Sequence, residues 1–178
     1  MQSWFDNKNI AVVGNASSLL KKNYGKEIDS HEVVVRINRG ILCSNSHSQG
    51  EKINVWVFNL YNRQMSIFHS GIKNSIRKSY YTMQMNEEFD NANFDYSYPM
   101  AYYTELKSKI GMKQPTTGLR ILDYISKCNP KHVDVYGFDW KETPTFYDRF
   151  ANDSAHNYTK EKQYCAENFF NTNLFTLR

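Results

Sequence analysis

Apolar residues in this chain gather in short runs of strand length, set between polar, turn-forming segments. Residues 10–13 (IAVV), Val33–Ile37 (VVVRI) and residues 53–58 (INVWVF) are near-continuous, the mark of strands covered on both faces. Residues 76–83 (IRKSYYTM) read as a fourth strand, and residues 132–138 (HVDVYGF) alternate into a fifth. Elsewhere the period changes. Leu119, Leu122 and Ile125, with Ile121 and Cys128, recur at a spacing of three or four, predicting a helix capped by Thr116 and Thr117 and stopped at Asn129-Pro130. Further helices are expected between the first two strands and over residues 61–70, 101–110 and 158–170. Strands separated by helices predict an α/β chain with a Rossmann-like, mainly parallel sheet flanked by helices. Residues 1–9 read as a polar lead-in and residues 41–52 (ILCSNSHSQGEK) as a surface loop. Residues 84–113 have no clean period before the helix, which suits either a mobile acceptor-binding lid or an ordinary irregular connection.

At 178 residues the chain is expected to form a single compact domain, residues 1–178, with its own core. Its 40% hydrophobic and 15% aromatic content excludes global disorder. The net charge of +4 suits phosphates or acidic glycans, but the Lys and Arg are scattered, so no nucleic-acid partner is expected. Cys43, Cys128 and Cys165 are unevenly spaced without a Cys-x-x-Cys, which predicts free thiols rather than a zinc site. No signal-peptide pattern opens the sequence, and no apolar run reaches the length of a membrane span. The oligomeric state is not legible.

Candidate chemistry lies at the carboxyl ends of the predicted strands, the edge where open α/β sheets bind ligands. Two strands there deliver an asparagine, Asn15 after Gly14 and Asn38 before Arg39-Gly40. Gly14-Asn15-Ala16-Ser17-Ser18 allows a tight turn whose backbone N–H groups attract phosphate, although a plain strand-to-helix turn explains it about as well. Pro115-Thr116-Thr117-Gly118 offers a second helix N-terminus with two hydroxyls; taken alone, simple capping is the better reading. His156 precedes a predicted helix whose first turn holds Glu161, which could orient a neutral imidazole as a general base. His31, His47, His69 and His132 have no comparable partner and read as structural. Glu87, Glu88, Asp90 and Asp95 lack any spacing logic and read as a solvated loop, while Asp139 follows a strand end and is the acid of interest.

Taken together and in order, these segments resemble the sialyltransferases of glycosyltransferase family 29. Ala11-Val12-Val13-Gly14-Asn15, Ile28-Asp29-Ser30-His31 and Val35-Arg36-Ile37-Asn38-Arg39 are similar to the long sialylmotif. Pro115-Thr116-Thr117-Gly118 and Val133-Asp134-Val135-Tyr136-Gly137-Phe138 are similar to the short one, and His156 with Glu161 to the very-short His-x4-Glu motif. The resemblance implies a GT-A variant fold and an inverting, metal-independent transfer of a 2-keto acid sugar, sialic acid, from its CMP donor to a glycan hydroxyl, with no cofactor. It implies that Asn15 and Asn38 bind the CMP portion, that Thr116, Thr117 and Gly118 lie along its phosphate or ribose, and that Gly137 and Phe138 sit beside the nucleotide. Donors from the unmatched middle of the chain, or Ser17 and Ser18, are candidates for the sugar carboxylate, and His156 for the base.

Three departures qualify the resemblance. Ile10 stands where the family has a disulfide cysteine, and Cys128 lies near rather than at the partner position, which points to a cytoplasmic protein of microbial or viral origin. Thr145-Phe146-Tyr147-Asp148 stands for the third motif without its histidine, so Tyr147 or Arg149 is assigned the contact with the leaving phosphate. The chain is also much shorter than family catalytic domains. A CMP-Kdo-dependent transferase, a non-catalytic CMP-sugar-binding protein and a CMP-sugar hydrolase are the competing readings.

Overall fold

The structure is a computed structural model, and it describes residues 2–59, 81–85, 95–148 and 156–178. Among the described residues seven strands form one parallel sheet: β1 (Asn9–Val13), β2 (Val33–Ile37), β3 (Val55–Phe58), β4 (Tyr81–Gln84), β5 (Tyr96–Ser97), β6 (His132–Tyr136) and β7 (Phe175–Leu177), in the order β5-β4-β3-β2-β1-β6-β7. The helices are α1 (Gln2–Phe5), α2 (Gly25–Ser30), α3 (Ser46–Gln49), α4 (Met100–Ile110), α5 (Thr117–Ser126) and α6 (Tyr158–Asn168), with 3-10 turns at Ser17–Lys21 and Asn38–Ile41. The α/β expectation with a mainly parallel sheet is met. No described helix is long and apolar enough to cross a membrane.

Side-chain alternation explains why the central strands are apolar throughout. On β1, Ile10 and Val12 enter a large core with Val35, Val57 and Val133, roofed by Leu119, Leu122 and Ile125 of α5 and by Leu106 of α4. Ala11 and Val13 face the other way, onto Val34, Leu19, Ile28 and Tyr136. Ile10 is therefore a fully buried core residue, and Cys43, Cys128 and Cys165 are all free thiols.

Several sequence expectations are corrected. The lead-in is not merely polar: residues 2–5 form α1, and Phe5 is completely buried beside Tyr124. Residues 41–52 are not simply a surface loop. Gln49 is fully buried because its Oε1 accepts from Ser44 N–H, Ser44 Oγ and Asn45 N–H, while its carbonyl accepts from the buried Arg36. The strands β5 and β7 were not anticipated. The helix expected over residues 61–70, the start of the fourth strand, His69, Glu87, Glu88, Asp90 and Arg149 lie outside the described residues. Asp95 is not idle in a solvated loop: its carboxylate accepts from the N–H and hydroxyl of Thr82 and ties β5 to β4. His31 is structural as expected, with Nε2 against the buried Asp134 at 2.9 Å and Nδ1 against the Glu27 carbonyl.

Candidate active site

Strand order reverses at β1, whose neighbours are β2 and β6, so the crevice beyond the carboxyl ends of β1 and β6 is the topological switch point where such sheets hold ligands. A cleft of about 680 Å³ opens there, lined by the loops that follow β1, β2, β3 and β6, by the start of α5 and by residues of and before α6. The loops after β1 and β6 meet at very close range. The Gly14 N–H donates to the Tyr136 carbonyl and the Ala16 N–H to the Gly137 carbonyl. A methyl group on Gly14 would lie 2.4 Å from the Gly137 oxygen and 2.7 Å from the Phe138 ring. The same ring would meet a methyl group on Gly118 at 2.8 Å. Phe138 is thus packed against both glycines, and three separate loops come together around one aromatic side chain.

Asparagines end the three adjacent strands β1, β2 and β3. The Asn15 amide donates to the Ile37 carbonyl at 3.1 Å and to the Tyr147 hydroxyl at 3.2 Å, so its NH2 group already ties the β1 loop to β2 and to Tyr147. Its Oδ1 is buried without a partner and lies over Gly40, where a methyl group would come within 2.0 Å. Asn38 adopts a left-handed backbone (φ 49°), a conformation that asparagine tolerates better than most residues. That turn is fixed by Trp56, whose indole N–H donates to the Asn38 carbonyl at 2.7 Å, and by the Asn59 N–H, which donates to Asn38 Oδ1 at 3.0 Å. With its oxygen engaged, Asn38 has its NH2 end left to offer a ligand. Asn59, which lines the cleft with a buried, unpartnered Oδ1, escaped the sequence reading. The signal was present, since Asn59 follows its apolar run just as Asn15 and Asn38 follow theirs.

The helix α5 starts in the cleft. Thr116 is its N-cap: the hydroxyl accepts from the Leu119 N–H and the carbonyl from the Arg120 N–H. The amides of Thr117 and Gly118 remain the orphan donors of the first turn, and both residues line the cleft. His156 and Glu161 reach this turn from across the chain. The His156 Nδ1 lies 2.7 Å from the Gln114 carbonyl. A carbonyl only accepts, so Nδ1 carries the proton and, in the neutral ring, Nε2 is the basic nitrogen. The expectation that Glu161 orients this imidazole is corrected, because its two oxygens accept from the Thr116 N–H and Thr116 hydroxyl, each at 2.7 Å. Neither Glu161 oxygen bonds the imidazole, and His156 bears on the carboxyl only as one of several charges that pull its pKa down. Together the pair fastens residues 114–116 and so places both the imidazole and the start of α5.

Burial raises the Glu161 carboxyl above the ordinary carboxylate range, against the opposing pull of Thr116, His156 and Arg120. The folded chain consequently holds this proton to higher pH than the unfolded chain. The contribution of Glu161 to stability therefore falls as pH rises from the usual carboxylate value through the raised one, and is flat above it. Glu161→Gln should remove that slope while keeping both contacts with Thr116. Glu161→Ala leaves the half-buried Thr116 N–H and hydroxyl without their acceptor and should lose about 1 kcal/mol. Denaturant unfolding between pH 4 and pH 8 checks both outcomes.

The segment after β6 closes the cleft. The Glu142 N–H donates to the Asp139 carbonyl, with Trp140 and Lys141 both left-handed (φ 51° and 68°), a type I′ turn. Asp139 steadies it, its Oδ2 accepting from the Ser18 hydroxyl at 2.9 Å and from the Thr143 N–H at 3.1 Å. Asp139 and Ser18 are therefore joined to each other. Residues 144–148 then run back along the β1 loop, where the Ser17 N–H donates to the Pro144 carbonyl and the Phe146 N–H to the Asn15 carbonyl. Tyr147 lies beneath the Arg39 guanidinium, 5.7 Å from its ring centroid. The structure thus gathers His156, Glu161, Tyr147, Asn15, Asn38, Thr116, Thr117, Gly118, Gly137 and Phe138 around one cleft. Ser17 is not among the residues lining it.

Comparison with known proteins gives this arrangement a family. Residues 6–94, half of the chain, match the model of glycosyltransferase family 29 (sialyltransferase). The chain is 27% identical over 154 residues to sialyltransferase-like protein 2 of Arabidopsis thaliana; the match takes in 84% of this chain and 34% of that protein. The chain therefore spans about a third of the length of the curated relative it matches. A mammalian sialyltransferase superposes with a TM-score of 0.73 at 15% identity, over 97% of this chain and 69% of the other. The monofunctional α-2,3-sialyltransferase Cst-I of Campylobacter jejuni gives 0.68 at 15% identity, over 96% and 75%. The sialyltransferase CstII of the same organism, in complex with cytidine-5′-monophosphate, gives 0.61 at 16% identity, over 97% and 80%. With its long-motif half inside the family model and its parallel sheet shared with these enzymes, the chain belongs to glycosyltransferase family 29, the sialyltransferase family.

Proposed function

We propose that the chain is a GT-A-type catalytic domain that moves sialic acid from CMP-sialic acid to a glycan hydroxyl, by inverting displacement and without a metal. The observation that carries this reading is the meeting of His156, the α5 N-terminus and the asparagine-bearing loops around one cleft. CMP seen in complex with CstII, and a Gal-β-1-3-GalNAc compound in complex with a mammalian sialyltransferase, support a nucleotide donor and a glycan acceptor.

In this reading the nucleotide lies over the carboxyl ends of β1 and β6, against Gly137 and Phe138. Asn38 offers its amide NH2, while Asn15 has Oδ1 and backbone left for the ligand. The donor phosphate meets the Thr117 and Gly118 amides, where the positive end of α5 favours an anion, and the Tyr147 hydroxyl assists from the opposite loop. His156 takes the acceptor proton on Nε2 as the hydroxyl oxygen attacks the anomeric carbon. The bond from that carbon to the phosphate oxygen breaks with its electron pair going to CMP. The buried Ile10 and the free thiols suit a reducing, cytoplasmic setting.

Incubation with CMP-sialic acid or CMP-Kdo, with and without a glycan mixture, tests the proposal by the CMP released. Acceptor-dependent release from CMP-sialic acid is expected. Release from CMP-Kdo alone reassigns the donor, acceptor-independent release indicates a hydrolase, and binding without release a sensor.

A further inference from the structure

Lys141 occupies a conformation that its side chain makes unfavourable. Type I′ turns ordinarily use Asn-Gly or Asp-Gly, yet here two large side chains are held at φ 51° and 68° on the rim of the cleft. Trp140 has a reason within the fold, since its ring packs on Phe170 at 6.1 Å and lies under the Lys162 ammonium. Lys141 has none. It is half-buried, it lines the cleft, and it has no hydrogen-bond or ion-pair partner among the described residues. Among the described residues three carboxylates line the same cleft, and none of them pairs with it. Asp139 is engaged by Ser18 and Thr143, Glu161 by Thr116, and Asp148 has another partner. A cleft-lining lysine that binds none of these acids is left to meet an anion from outside.

We propose that Lys141 supplies the cation that binds the donor phosphate and takes up the charge developing on it as CMP departs. The inference rests on the transferase reading above. Breaking the bond between the anomeric carbon and the phosphate oxygen sends its electron pair to the phosphate, so a singly charged diester becomes a doubly charged monoester. The acceptor proton goes to His156. A fixed ammonium attracts the departing group more strongly than the bound donor, and that difference lowers the barrier. Lys141 lines the same cleft as Thr117 and Gly118, whose amides are the orphan donors of the α5 N-terminus.

The test uses Lys141→Gly and Lys141→Arg, with CMP and cytidine as probes and turnover as the second readout. Glycine suits the left-handed backbone, so Lys141→Gly keeps the turn while removing the charge. It should weaken CMP binding by about tenfold or more, leave cytidine binding unchanged, and reduce kcat by a larger factor than it raises the donor KM. Lys141→Arg should hold close to the wild-type values. The proposal is overturned if Lys141→Gly binds CMP like the wild type, if it loses CMP and cytidine equally, or if Lys141→Arg is as impaired as Lys141→Gly; in each case the transferase reading survives. A wild-type chain that binds neither CMP nor cytidine removes that reading, and the role of Lys141 with it.

Discussion

His156→Ala is expected to lower acceptor-dependent CMP release by about 10²–10⁴-fold while CMP still binds. A sugar hydroxyl is a weak nucleophile near neutral pH, so the step needs an acceptor for its proton. In the proposed mechanism His156 is that acceptor; its bond to the Gln114 carbonyl places the proton on Nδ1 and the lone pair of the neutral ring on Nε2. CMP binding should persist because Glu161 continues to grip Thr116 and so maintains the start of α5. Alanine also removes the Gln114 contact, which a purely structural role would feel too. His156→Asn separates the two effects, because its amide can still donate to the Gln114 carbonyl but provides no basic nitrogen. Both variants should be similarly inactive in steady-state assays. An asparagine variant with wild-type turnover would mean that the residue only holds the loop.

How much of this was legible follows from the kind of interaction involved. The strands β1, β2 and β3 could be read because a central parallel strand buries both faces and records that as a near-continuous apolar run, and β6 by the alternation of Val133 and Val135 with polar neighbours. The helix α5 could be read because one face covers the sheet and Thr116 caps it. Phe5 could not, because one aromatic pair, Trp4-Phe5, among polar residues leaves no period. Gln49 could not, because its burial is compensated by hydrogen bonds that composition does not reveal. The strand β7, three residues long, is defined by pairing with β6 rather than by its own sequence. In the site, the motif segments identified which residues gather but not how they bond. Glu161 is five positions from His156, yet its carboxylate is engaged by a threonine 45 residues away, and only the folded chain brings that pair together.

The other large effect belongs to Gly14→Ala, which should lower stability by about 3 kcal/mol and abolish CMP binding at concentrations that saturate the wild type. The added methyl group would lie 2.4 Å from the Gly137 carbonyl oxygen, a backbone atom fixed at the end of β6. Gly137 is itself held at φ 65° over Leu19, and the Gly14 N–H is bonded at 2.7 Å to the Tyr136 carbonyl, so neither loop yields by rotating one side chain. Relief requires the ends of β1 and β6 to separate. That separation displaces the Phe138 ring from Gly118 and draws Asn15 from Ile37 and Tyr147, opening the crevice where the nucleotide is proposed to lie. Gly118→Ala provides the comparison, since its methyl group is crowded by the Phe138 ring, at 2.8 Å, with Thr116 Oγ1 at an ordinary 3.7 Å, and an aromatic side chain can tilt where a strand end cannot. It should reduce CMP affinity with a smaller loss of stability. Thermal unfolding and CMP titration of the two variants check this order, and equal stability losses would show that the junction is held by Phe138 packing rather than by contact between the two backbones.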